Sequence, residues 1–306
     1  MSTIRQRDLL LHPLATPDDL HRWVRLFCNL NVPRTPVVAG HSAPFDYLVR
    51  AYFEPAQDQV VHAPRGGGKT RLAAVATLLD LLHKPGVGVR ILGGSLEQSM
   101  RLWEHLLPDL THAARHLIDK RTTRAHRVTL ANGSTCAVLT QSETSVRGLR
   151  VQKLRCDEIE LFKPDVWEAA QLVTRSGELV VGSSELAAEA RSAATNYQLA
   201  TSNSSRVHGS IDALSTLHEP FGLMQTVLDR AGRNGTPIVR WSILDVLARC
   251  EPERPCEACA LWEECRGIAK TAASGFVSID DAIASPESAR AGLRLPEQAH
   301  ARRRAA

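Results

Sequence analysis

The chain has 306 residues, of which 43% are hydrophobic, 23% charged and 5% aromatic. This is an ordinary globular balance that excludes a wholly disordered chain and leaves room for one large domain with a smaller appendage. Lys and Arg number 37 against 33 Asp and Glu, a formal charge of +4 that is compatible with a nucleic-acid partner and too slight to establish one.

No stretch reaches the roughly 18 apolar residues of a membrane span, and the N-terminus has no h-region with a small-residue cleavage site. A cytoplasmic protein without membrane contact is therefore expected. Thr16, Pro17, Asp18 and Asp19 supply an N-cap, a first-turn proline and two acids, and Leu20, Trp23, Val24 and Phe27 follow at helical spacing. A second short helix is expected over PFDYLVRAYF, residues 44–53.

From residue 58 strands and helices alternate: QVVHA as a strand, 69–83 as a helix, GVRILGG as a strand and about 96–117 as a long helix. Such alternation predicts an α/β fold with a mainly parallel central sheet and helices on its faces, ligands binding at the carboxyl ends of the strands. HRVTLANGSTCAVLTQ breaks the rhythm, because Asn132-Gly133 between two alternating runs reads as a hairpin turn. VQKLRC and NYQLATS read as further strands, and PIVRWSIL, from 237, as another. The resulting division is a helical lead-in over 1–57, an α/β core over 58–235, a cysteine-rich segment over 236–275 and a flexible tail over 276–306.

Residues 63–70, Ala63, Pro64, Arg65, Gly66, Gly67, Gly68, Lys69 and Thr70, match the phosphate-loop pattern G-x-x-x-x-G-K-[ST] except that Ala63 stands at the first glycine. Strand before and helix after are the context the pattern requires. Glycines let backbone N–H groups curl around phosphate oxygens, Lys69 reaches the β- and γ-phosphates, and the Thr70 hydroxyl is a ligand for Mg²⁺. Asp157-Glu158, ending an apolar strand, supply a metal-orienting acid and a base for the attacking water. Thr201, Ser202 and Asn203, at the end of NYQLATS, are candidates for sensing the γ-phosphate.

These residues, taken in order, resemble the ATPase domain of the large subunit of tailed-phage terminases. The likeness rests on PFDYL, HAPRGGGKT, ILGGSLEQS with Gln98, the hairpin VTLANGSTCAVL, SVRGLRVQKLRCDEIELF and LATSN, the last resembling the coupling motif. Together they cover about residues 40–205. The resemblance implies a P-loop ATPase using ATP and Mg²⁺, Arg65 acting on the γ-phosphate in cis, and Arg147-Gly148 ahead of the acidic strand. It further implies a homo-oligomeric ring that translocates double-stranded DNA, with a small subunit and a portal as partners. The nuclease domain usual in that family is not expected here: beyond residue 205 no run of strands carries its metal-binding acids, Asp245 being one isolated candidate. Another DNA-dependent P-loop ATPase, of helicase or repair type, and an inactive prophage relic stay open.

Of seven cysteines, Cys28, Cys136 and Cys156 are isolated in apolar stretches and read as core residues. Cys250, Cys256, Cys259 and Cys265, spaced C-x5-C-x2-C-x5-C, read as a metal site stapling a segment too short to build its own core. Zinc and a [4Fe-4S] cluster both suit the spacing, zinc being the plainer choice.

Overall fold

The Thr16 signal opens a helix in the structure as read. In the computed structural model, which describes residues 6–54, 58–140, 151–174, 177–178, 206–217 and 221–284, α1 (Gln6–Leu11) is followed by α2 (Pro17–Cys28). The Thr16 hydroxyl accepts from Asp19 N at 3.1 Å, and the Asp19 carboxylate accepts in return from Thr16 N at 3.1 Å. This reciprocal cap satisfies two of the donors that every helix start leaves open. The second predicted helix is α3 (Pro44–Phe53).

The alternation then unfolds as β1 (Gln59–His62), α4 (Lys69–His83), β2 (Gly88–Gly93) and α5 (Leu96–Ala114). The hairpin is β3 (Arg127–Thr129) and β4 (Thr135–Leu139), paired antiparallel, with Gly133 at φ +84° in the turn. β5 (Lys153–Asp157), α6 (Pro164–Ala170), the short pair β6 (Gly177–Glu178) and β7 (Arg206–Val207), β8 (Ser210–Ser215), α7 (Leu223–Asn234) and β9 (Ile238–Arg240) follow. The long helix ends at Ala114, three residues short of the expected end, and 115–117 form a tight 3₁₀ turn.

Seven strands form one sheet in the order β3-β4-β2-β5-β8-β1-β9, parallel throughout except for β3. Successive residues face opposite layers. Val61, Val89 and Ile91 join a core with α2 to α5, while Val60, Leu92, Leu154 and Cys156 join a second core with α6 and α7. A parallel sheet covered on both faces has strands buried on both sides, as the parallel architecture demands. Cys28, Cys136 and Cys156 are buried core residues, as read.

Two features depart from the sequence expectations, and some of the expected features lie outside the described residues. β8 was not anticipated, and it lies between β1 and β5. NYQLATS, Thr201, Ser202, Asn203 and Arg147-Gly148 lie outside the described residues, as does the tail beyond 284. The sheet also continues past residue 235, because β9 pairs with β1, Val61 opposite Val239; the boundary expected at 235 runs through the sheet.

β5 carries Lys153 and Arg155, each with a side chain only 1% exposed. Arg155 Nη1 pairs with Asp212 Oδ2 at 2.9 Å and Nη2 pairs with Asp80. Tyr47 donates to Asp212 at 2.7 Å, Lys84 pairs with Asp80 at 2.7 Å, and Lys153 pairs with Glu54 at 2.8 Å. Burial opposes the charge on Arg155, and Asp212 and Asp80 overcome it, holding the guanidinium firmly protonated. The network ties β5 and β8 to α3 and α4, directly beneath the strand that ends in Asp157.

Beyond β9 come two single-turn helices, α8 (Trp262–Cys265) and α9 (Ile268–Thr271), then α10 (Ile279–Ala284). Asp245, the isolated nuclease candidate, is spent on architecture. Its carboxylate accepts from Val37 N at 2.7 Å, Val38 N at 2.9 Å, Ser242 N at 2.7 Å and Ser242 Oγ at 2.8 Å, and pairs with His41 Nδ1 at 2.6 Å. Burial alone would raise its pKa, and these hydrogen bonds hold it below the ordinary value. With its oxygens satisfied, Asp245 staples the 37–41 loop to the chain after β9. Among the described residues, no helix is long and apolar enough to cross a membrane.

Candidate active site

Parallel pairing brings three strand ends into one row. Asp157 lies opposite Leu214 across β5 and β8, and Leu214 lies opposite Val61 across β8 and β1. The loop leaving β1, the acids ending β5 and the polar residues ending β8 therefore share the carboxyl edge of the sheet, where ligands of such folds bind.

Residues 63–68 form the loop and Gly68 caps α4. Left-handed backbone within it is confined to Gly66 and Gly68, both at φ +76°. Ala63 needs no positive φ, which explains how alanine serves where the motif has glycine. Its amide donates to Ser215 O at 3.3 Å, locking the loop's start to β8. Gly67 N donates to Pro64 O at 3.0 Å, closing the turn. The outer side of the loop is held from the far end of the chain. The Trp241 indole N–H donates to Gly67 O at 2.7 Å, and a Cβ on Gly68 would stand 2.5 Å from the Phe276 ring.

Lys69, only 4% exposed, places Nζ 2.8 Å from Glu158 Oε1 and donates to Thr216 Oγ1 at 3.0 Å. Thr70 Oγ1 donates to Asp157 Oδ2 at 2.7 Å. Burial pushes the Asp157 carboxyl up to about 6 against the attraction of Lys69, with Glu158 adding to the rise. His62, at the end of β1, is pushed down to about 4 by burial and by nearby Arg240 and Lys69, so it adds no charge at neutral pH.

Glu158 sits at φ +54°, a left-handed conformation uncommon for a residue with a side chain. Such strain persists where surrounding structure fixes it, often at functional sites. Here Glu158 N donates to Asp157 Oδ1 at 3.1 Å, and Leu161 N donates to Glu158 O at 3.0 Å. The turn swings the Glu158 carboxylate back toward Lys69. Gln98 is close by: a Cβ on Gly94 would lie 2.5 Å from Gln98 Oε1 and 3.2 Å from Glu158 O.

The structure thus brings Lys69, Thr70, Asp157 and Glu158 together. Arg65 is exposed, outside this set of contacts. Ser215 and Thr216 were missed by the sequence reading. Thr216 touches Lys69, and the Ser215 hydroxyl accepts from Glu160 N at 3.2 Å, so the end of β8 links the loop to the acidic turn. Ser-Thr after the run IDAL was the available signal.

A hydroxyl beside a buried carboxylate is a hard oxygen donor set suited to Mg²⁺, which takes few protein ligands and completes its shell with phosphate and water. Among the described residues, no three His, Cys, Asp or Glu side chains are gathered to hold one ion. A magnesium site of this kind does not require three. Cys250, Cys256, Cys259 and Cys265 do not form such a group, so the expected zinc or iron-sulfur site there finds no support among the described residues.

No family model and no curated protein matches the chain. Among solved structures it is similar to the large terminase of bacteriophage HK97 at 14% identity and a TM-score of 0.47, over 87% of this chain and 51% of that one. It is similar to the large terminase of a thermophilic bacteriophage in complex with ADP at 11% identity and a TM-score of 0.44, over 65% of this chain and 45% of that one. With the large terminase ATPase domain of Thermus phage P74-26 it shares 14% identity at a TM-score of 0.36, over 55% of this chain and 62% of that domain. The chain thus spans about half the length of the first two.

Proposed function

We propose that the chain is an Mg²⁺-dependent ATPase whose turnover moves double-stranded DNA, in the manner of a terminase large subunit. The observation that carries the ATPase part is the meeting of Lys69, Thr70, Asp157 and Glu158 at one sheet edge, where the phosphate loop and the end of β5 come together. The loop and Lys69 bind the phosphates, and Thr70 and Asp157 hold the cation that screens their charge. Glu158 orients and deprotonates water. Arg65 neutralises the γ-phosphate from the exposed side of the loop. Ser215 and Thr216 carry the coupling role that the sequence reading gave to Thr201, Ser202 and Asn203.

The DNA part rests on the ordered motifs that resemble the terminase family, with a homo-oligomeric ring, a small subunit and a portal as the partners that resemblance implies. The test is ATP hydrolysis with and without linear double-stranded DNA. Wild-type turnover is expected to rise with DNA and to vanish in Lys69→Ala. Turnover untouched by Lys69→Ala would remove the phosphate-loop assignment, and turnover indifferent to DNA would remove the motor.

Asp157 also sets a pH dependence. Its raised pKa means that it is ionised above about 6 and protonated below, and a neutral carboxyl is a poor cation ligand. Affinity for the magnesium complex of a non-hydrolysable ATP analogue is therefore expected to fall as pH drops through about 6. Asp157→Asn should bind weakly at every pH, showing only the titration of the nucleotide itself. Calorimetric titration across roughly pH 5 to 8 checks both.

A further inference from the structure

Positive charge is concentrated beside β3, the edge strand of the sheet. Residues 111–127 include Arg115, Lys120, Arg121, Arg124 and Arg127 and a single acid, Asp119, a surplus that matches the formal +4 of the whole chain. All five cations are exposed. Elsewhere on the surface Arg22, Arg34, Arg101, Arg254 and Arg266 each face a carboxylate. Among the described residues, none of the five beside β3 has a carboxylate at salt-bridge distance.

The segment is a built lobe. It runs from the last turn of α5 through the 3₁₀ turn at 115–117 to the start of β3. Asp119 N donates to Thr129 O at 2.9 Å and Ala131 N to Leu117 O at 2.7 Å, which folds the lobe back along the edge strand. The Asp119 carboxylate is spent on the turn itself, accepting from Arg121 N and Thr122 Oγ1, both at 2.9 Å. Arg124 N donates to Arg127 O at 2.8 Å, and the Arg124 guanidinium donates to Arg121 O and Thr123 O at 3.0 Å. Like charges are thereby held side by side: burial lowers the pKa of Arg90, on β2, and Arg127 lowers it further. A polyanion relieves such self-repulsion.

Charges on an edge strand also discourage pairing with another sheet, but of the five only Arg127 lies on β3. Residues 111–127 include no Phe, Tyr or Trp. The lobe therefore lacks the stacking platform that holds single strands and the aromatic anchors of a protein interface. It offers fixed cations, the chemistry that grips phosphate oxygens without reading bases. We propose that this lobe is a contact surface for the phosphate backbone of double-stranded DNA, with Arg115, Lys120, Arg121 and Arg127 holding the phosphates. The assignment rests on the DNA part of the function proposed above and places that contact three strands away from β5 and its acids.

The test is fluorescence anisotropy of a short labelled duplex with the full chain, across a range of salt and without nucleotide. Lys120→Ala with Arg121→Ala should weaken binding about tenfold or more near 0.1 M salt and reduce the slope of log affinity against log salt by about 2. Arg115→Ala with Arg127→Ala, a second pair in the lobe, should act alike, and basal ATP hydrolysis should be unchanged in both. Arg230→Ala with Arg233→Ala, removing the same charge from α7, should bind nearly as wild type. Lobe variants that bind as tightly as wild type, or an equal loss from the α7 pair, would overturn the lobe and leave the motor reading intact. A wild-type chain that binds no duplex would overturn both. Polyglutamate competing as well as unlabelled duplex would also overturn the lobe as a DNA surface, in favour of an acidic protein partner.

Discussion

Glu158→Gln is expected to slow ATP hydrolysis by roughly 10²- to 10⁴-fold, the usual contribution of a positioned general base, while nucleotide affinity changes by no more than a few-fold. Glutamine keeps the length of the side chain and the same left-handed backbone strain at φ +54°, so the turn after β5 is preserved. What disappears is the ability to take a proton from water and the charge that faces Lys69 at 2.8 Å. Loss of that ion pair releases Lys69 for phosphate, so binding should not suffer. Single-turnover hydrolysis alongside binding of a fluorescent ATP analogue separates the two effects. A loss of less than about tenfold would move the base elsewhere on the acidic turn.

The second large effect concerns stability. Arg155→Ala is expected to destabilise the chain by about 3–5 kcal/mol, because it leaves the carboxylates of Asp80 and Asp212, each 1% exposed, in the interior without their shared cation. The melting temperature should fall on the order of 10 °C. The cost arises from what remains, so Arg155→Met combined with Asp212→Asn should recover part of it, a coupling that denaturation of the single and double variants measures directly. Equal losses in the single and double variants would show that packing at this site dominates over charge.

The same network shows why part of the fold was not legible in the sequence. β1, α4 and β2 could be read because their apolar runs are local and the glycines between them are punctuation. β5 could be placed from Leu154 and Cys156, but Lys153 and Arg155 beside them gave no sign of being buried. Their partners are Glu54, Asp80 and Asp212, and no local pattern connects residues so far apart in the chain. β8 was missed for a related reason. Its large apolar residues are Ile211 and Leu214 alone, and its central Asp212 looks like a solvent-facing position until Arg155 and Tyr47 are set against it. Losing β8 meant losing Ser215 and Thr216. Lys69, Thr70, Asp157 and Glu158 could be picked out together because they sit in two short motifs, and parallel pairing brings the two strand ends to the same edge.

The contacts of Trp241 with Gly67 and of Phe276 with Gly68 change what counts as the structural unit around the loop. A fragment trimmed to residues 58–235 would retain each of the loop and acidic residues and still lose the edge strand beside β1, the indole that pins the loop and the ring that covers its last glycine. The loop after β1 is held by a discontinuous set of residues, since the indole that secures it lies 174 residues further along the chain. The conformation of that loop accordingly depends on a region that bears no recognisable nucleotide motif.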